Sequence, residues 1–139
     1  MKRSICGVVT LIFALCFTLS TVAYADSSRA SEQIRSYNID ITKMGGGQLG
    51  INFSVVGTGE MQELGANSII IYEKSENTWY KVAYYDQEDE GMTETDTFIY
   101  ENEIIFQGTP GKQYRILVSI FAKDPSGSDL RSESFTVTA

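Results

Sequence analysis

The residues best equipped for chemistry in this sequence lie in two crowded stretches. Trp79, Tyr80, Tyr84 and Tyr85 fall close together, and Asp86, Glu88, Asp89, Glu90, Glu94 and Asp96 follow directly. Flat rings stack on sugar faces or anchor protein interfaces, because they present a large rigid area with few rotamers to fix. Dense carboxylates offer the hard oxygen ligands that calcium takes. Asp86-x-Glu88-x-Glu90-Gly91 echoes the opening of an EF-hand loop. Glu replaces the expected Asp or Asn at two places, however, and Thr97 stands where the closing Glu belongs. A solvated acidic loop is the other reading of the same residues.

What is missing narrows the chemistry further. The sequence has no histidine, and its cysteines are Cys6 and Cys16 alone. Ser-His-Asp and Cys-His catalysis and the usual zinc, copper and haem ligand sets are thereby excluded from a chain that loses its N-terminus. No serine has a lysine three residues on, and Phe106 occupies the first glycine position of a would-be phosphate loop before Gly111-Lys112. No acid pair is marked for glycoside hydrolysis. The expectation is a protein that is not an enzyme and carries no cofactor, calcium being the one candidate ion.

The N-terminus sets the compartment. Lys2 and Arg3 precede an apolar run from Ile5 to Leu19, and Ala23-Tyr24-Ala25 supplies the small residues of a cleavage site. This is the order of a secretory signal peptide, residues 1–25, cleaved after Ala25. The run falls short of the roughly 20 apolar residues a spanning helix needs. Leu15 before Cys16 does not suit lipidation. Cleavage removes both cysteines, as suits a disulfide-free extracellular domain, and avoidance of cysteine is common in cell-surface proteins of Gram-positive bacteria. The net charge of −7 becomes more negative once Lys2 and Arg3 are gone. Such a chain repels nucleic acid and anionic lipid faces, and no span remains in the mature form.

Strands must position these groups. Residues 26–36 are polar and read as a flexible arm; 37–139 read as one domain. Tyr37, Ile39 and Ile41 alternate with polar residues, as do Leu49, Ile51, Phe53 and Val55, at the period of a half-buried strand. Gly45-Gly46-Gly47 and Gly57-Thr58-Gly59 punctuate, and Glu60 to Asn67 reads as a short turn around Met61 and Leu64. Ile69 to Tyr85 reads as a hairpin turning at Ser75-Glu76-Asn77. Thr97 to Phe106, Gln113 to Ala122 and Ser134 to Thr138 complete the set. About seven strands and no amphipathic helix predict an all-β fold, a single antiparallel β-sandwich. By this register Leu117 and Phe121 point outward and join the aromatic stretch in an exposed patch.

Some stretches resemble the fibronectin type III fold, an immunoglobulin-like sandwich. Leu49, Ile51 and Phe53 fill the inward places of its second strand, with phenylalanine instead of tryptophan. Pro110-Gly111-Lys112-Gln113-Tyr114 is similar to the opening of its sixth, and Ser132 to Thr138 to its last. The resemblance implies that Tyr114 is a tyrosine corner, its phenol bonded back to the backbone of the preceding turn. Gly108 replaces a leucine of the family, and Phe106 is placed to fill that corner. Over most of 37–138 the chain also resembles small uncharacterised secreted proteins of Gram-positive bacteria, through Leu64-Gly65-Ala66, Ile71-Tyr72-Glu73-Lys74, Trp79, Gly91-Met92, Tyr114, Ala122 and Arg131.

The leading reading is therefore a secreted, monomeric, non-catalytic binding module. Its partner is a cell-wall glycan or a surface protein, bound through Trp79, Tyr80, Tyr84, Leu117 and Phe121. The alternative is a calcium-binding accessory module using the loop 86–96.

Overall fold

The structure, a computed structural model, describes residues 32–139. The predicted signal peptide and residues 26–31 of the predicted arm lie outside the described residues. Strands β1 (Ile34–Gly45), β2 (Gln48–Ser75), β3 (Thr78–Asp86), β4 (Thr93–Gln107), β5 (Gln113–Asp124) and β6 (Gly127–Thr138) form one six-stranded sheet. Every pairing is antiparallel. No helix occurs among the described residues, and none is long and apolar enough to cross a membrane.

The all-β expectation holds, but the strand count differs from the expected seven. The segments around Ile51 and Ile69 are halves of one 28-residue strand, β2. Its first half lies between β1 and β4, and its second between β3 and β5. Gly57-Thr58-Gly59 is not a break but part of a bulge, since the β4 ladder skips from Val56 to Met61. A bulge bends its strand and raises the local twist without ending the pairing. The bend is tight: a side chain at Gly57 would come 2.7 Å from Met61 Cγ and 2.8 Å from the Gly59 carbonyl. The predicted turn over Glu60 to Asn67 is therefore strand, with Met61, Leu64 and Ala66 buried.

This bend curls the sheet around its own core. Leu49, Ile51, Phe53 and Val55 from the first half of β2 share one buried cluster with Ile69 and Ile71 from the second and with Ile116, Val118 and Ile120 of β5. The alternation read from the sequence thus faces inward from both halves. Fully burying an aliphatic or aromatic side chain is worth about 1.5–3 kcal/mol, so the cluster drives the closure.

Two anchors hold the ends. β1 begins at Ile34, inside the stretch expected to be a loose arm, because Gln33 and Ile34 are buried. The Gln33 amide N–H donates to Asp129 Oδ2 at 2.8 Å, and its Nε2 donates to Ser126 Oγ at 3.1 Å and Asp124 Oδ1 at 3.3 Å. Asp124 caps the β5–β6 turn, accepting from the Ser126 hydroxyl and from the amides of Ser126 and Gly127. These bonds, the Ser126 hydroxyl foremost, hold its carboxyl below the usual range. At the other end, the Gly111 N–H donates to the Ala139 carbonyl at 2.7 Å and the Ala139 N–H to the Lys112 carbonyl at 2.9 Å.

Tyr114 closes the corner between these elements. It is fully buried, its hydroxyl accepting the Thr109 N–H at 2.7 Å and donating to Glu73 Oε2 at 2.8 Å. Phe106 meets its ring edge-on, centroids 5.4 Å apart.

Candidate functional site

β3 carries most of the aromatic stretch, and its two faces are sorted by an irregularity. The β2–β3 hairpin pairs Ser75 with Thr78, Lys74 with Trp79, Glu73 with Tyr80 and Tyr72 with Lys81; beyond that Ile71 pairs with Ala83, so Val82 is an extra residue. Strict alternation would separate Trp79 from Tyr84. The bulge restores both to one side. Trp79, Lys81 and Tyr84 therefore share the outward face with Lys74, Tyr72 and Ile70, while Ala83 and Tyr85 turn inward and pack on the core.

The same register extends across β5 and β6. Tyr72 is opposite Arg115, Ile70 opposite Leu117 and Ser68 opposite Ser119; these in turn oppose Thr136, Ser134 and Ser132. The outward face is thus a continuous surface of rings, aliphatic groups and cations, bordered by a row of hydroxyls on β6. The Arg115 guanidinium lies 4.3 Å from the Trp79 ring centroid, Lys74 Nζ lies 5.9 Å from that ring, and Lys81 Nζ lies 5.7 Å from the ring of Tyr84. All three distances are within cation–π range. Tyr84 is 55 % exposed.

The residues expected at this patch divide. Trp79, Tyr84 and Leu117 come together on it. Tyr80, although 55 % exposed, pairs with Glu73, whose carboxylate accepts from the core hydroxyl of Tyr114, and so belongs to the opposite side. Phe121 is a correction: it is only 6 % exposed and offers no ring to a ligand. The register sets it between Gly65 of β2 and Leu130 of β6, and an aromatic ring opposite a strand glycine covers the bare backbone there. Tyr72, Ile70 and Arg115 were not picked out from the sequence. The signal was present in part: a two-residue turn at Glu76-Asn77 fixes Lys74 opposite Trp79 and Tyr72 opposite Lys81 by counting.

The acidic stretch is built differently. Asp86 Oδ1 accepts the Glu88 N–H at 2.9 Å, Asp89 Oδ2 accepts the Asp86 N–H at 2.8 Å, and Glu94 Oε1 accepts the Thr95 N–H at 3.2 Å. These carboxylates shape the β3–β4 connection by capping its backbone donors. The connection is pinned at Gly91, whose carbonyl accepts from Tyr100 Oη at 2.7 Å and Asn102 Nδ2 at 2.8 Å. Burial pushes the Tyr100 phenol up from its ordinary pKa. Among the described residues no group of three or more acids converges as a metal site would require, Glu90 and Asp96 included.

A polar hollow of about 260 Å³ lies on the other half of the sheet, lined by Asn38, Asn52, Phe53, Ser54, Glu101 and Asn102. Asn52 Nδ2 is already bonded to Thr42 Oγ1 at 3.0 Å, and Asn102 to Gly91. Asp40 and Glu103 flank the hollow by register. The surroundings of the hollow are thus acidic and polar, with exposed Ile99 and Ile105 beyond them, whereas the face around Trp79 is aromatic and cationic and ends at Asp86. Comparison with known proteins gives no match to a family model, a curated protein or a solved structure.

Proposed function

We propose that this chain is a secreted, non-catalytic binding domain of a bacterial cell surface, which holds its partner on the outward face of β3, β2, β5 and β6. The observation that carries the reading is the shared face of Trp79, Tyr72, Tyr84, Ile70 and Leu117, with Arg115 stacked 4.3 Å over the Trp79 ring. Tyr84 is exposed and the other four are half-buried, and a contiguous apolar surface that stays partly open to solvent mostly marks an interaction site. Export rests on the order of Lys2-Arg3, the run Ile5 to Leu19 and Ala23-Tyr24-Ala25. The bond from the Thr109 amide to the Tyr114 hydroxyl supports a relation to the fibronectin type III sandwich, with β2 running through both halves as a departure from its seven strands.

The test is capture. The full chain is expressed in a secreting bacterial host, recovered from the medium, and passed over purified wall polysaccharides and surface proteins beside a Trp79→Ala/Tyr84→Ala variant. Recovery of a species starting at Asp26, with a partner held by wild type and lost by the variant at unchanged circular dichroism, supports the reading. Retention of the uncleaved chain in the cell overturns export. Equal capture by both proteins, or none, overturns this face as the binding site.

A further inference from the structure

We propose that the ligand of this face is an acidic polysaccharide, its carboxylates held by Arg115, Lys81 and Lys74 and its sugar rings lying against Trp79 and Tyr84. The proposal rests on the binding reading above and adds the class of ligand.

Charge is the first argument. In a chain of net charge −7, Lys74, Lys81 and Arg115 gather on one face whose cross-strand partners there are Trp79, Tyr72, Tyr84, Ile70 and Leu117. Among the described residues the ion pair is Lys112 with Glu73 at 3.8 Å, so these cations have rings, not carboxylates, for neighbours. A guanidinium stacked on indole uses its flat face. Its N–H edge stays open, in the fork geometry that receives a carboxylate bidentately. Of the acids, Asp40, Glu101 and Glu103 lie on the other half of the sheet, and Asp86, opposite Ser68 at the end of this face, has Oδ1 engaged by the Glu88 N–H; at physiological salt a Debye length of about 8 Å screens distant charge.

The second argument separates a glycan from an acidic peptide. An extended peptide is commonly held by adding a strand to an open edge. The open edges beside this face are β3, where the extra residue Val82 breaks the ladder, and β6, which carries Asp129, Arg131 and Glu133; a bulge and edge charges both discourage strand addition. The hollow lined by Asn38, Asn52, Phe53, Ser54, Glu101 and Asn102 lies on the other half of the sheet. What borders the rings and cations is Ser119, Ser132, Ser134 and Thr136 in adjoining cross-strand rows. Hydroxyls that donate and accept match the hydroxyls of a sugar chain.

The experiment titrates the secreted protein with polygalacturonate, with the same polymer fully methyl-esterified, and with poly-L-glutamate. Wild type is expected to bind polygalacturonate roughly tenfold or more tightly than the ester. Lys81→Gln/Arg115→Gln, both at exposed positions, should bring polygalacturonate binding down to the level of the ester. Equal affinity for acid and ester, lost in Trp79→Ala, overturns the charge requirement and leaves the face as a site for neutral ligands. Preference for poly-L-glutamate over polygalacturonate overturns the glycan in favour of an acidic polypeptide. Absence of binding to all three, or binding that Trp79→Ala leaves intact, overturns the ligand class and the site together.

Discussion

One oxygen at Tyr114 closes contacts to two elements, one just upstream in sequence and one far from it. It accepts from the Thr109 amide in the β4–β5 connection and donates to Glu73 on β2. Glu73 has a second partner in Lys112, so a cation, a carboxylate and a phenol form one short chain at the edge of the core. A buried donor or acceptor that loses its partner costs more than a typical bond gains. Tyr114→Phe keeps the ring and its edge contact with Phe106 but strands the Thr109 amide and one Glu73 oxygen. Thr109 is exposed, so water relieves part of the loss, and a destabilisation of about 1–2 kcal/mol is expected. Urea unfolding of wild type and variant measures it; an unchanged midpoint would show that the hydroxyl contributes nothing to the corner. The residue was legible beforehand because Pro110-Gly111 followed by a strand opening on tyrosine resembles a known corner. Its bond to Glu73 was not, since nothing near either residue sets their meeting.

Strand alternation was legible at the scale of elements, because a period of two is a local property: Leu49 to Val55 and Tyr114 to Ala122 face inward as read. Irregularities were not. The bulge at Val82 and the bend at Gly57 exist relative to a partner strand, and a sequence read along one strand carries no record of its partner. Hence Trp79 and Tyr84 share a face that simple counting would have divided, and two strands merged into β2. Turns lie between these cases. Gly45, Gly46 and Gly47 all have positive φ, at 89°, 61° and 85°, but their surroundings differ. A Cβ on Gly46 meets nothing within 4 Å, whereas one on Gly47 would lie 2.4 Å from the Gly108 carbonyl and 2.8 Å from Pro110 Cδ. The Gly108 N–H also donates to the Gly47 carbonyl at 2.9 Å, so this turn is docked on the β4–β5 connection. Gly46→Ala should cost about 1 kcal/mol for its backbone alone. Gly47→Ala should cost clearly more, since backbone must move as well. Thermal melts of the pair read the difference, and equal losses would mean that the two loops are not docked.

For the whole molecule, β2 decides how stability is shared. One strand passes through both halves, and the core cluster draws on each. The halves therefore cannot separate without breaking that strand's ladders and exposing a common core, which is the condition for all-or-none unfolding in a domain of this size. The protein supplies its own reporter: the single tryptophan, Trp79, stands on β3 beside the second half of β2, while Phe53 is buried in the first half, its ring 5.9 Å from that of Tyr100. Phe53→Leu removes the ring contact and leaves a small void, a loss of about 1–2 kcal/mol. With a urea slope of roughly 1–3 kcal/mol per molar, the midpoint should fall by roughly 0.3–2 M. Were the halves independent, Trp79 fluorescence would keep its wild-type transition while far-ultraviolet circular dichroism lost amplitude early. Shared through β2 and one core, the two signals should move together to the same lower midpoint, with the slope unchanged.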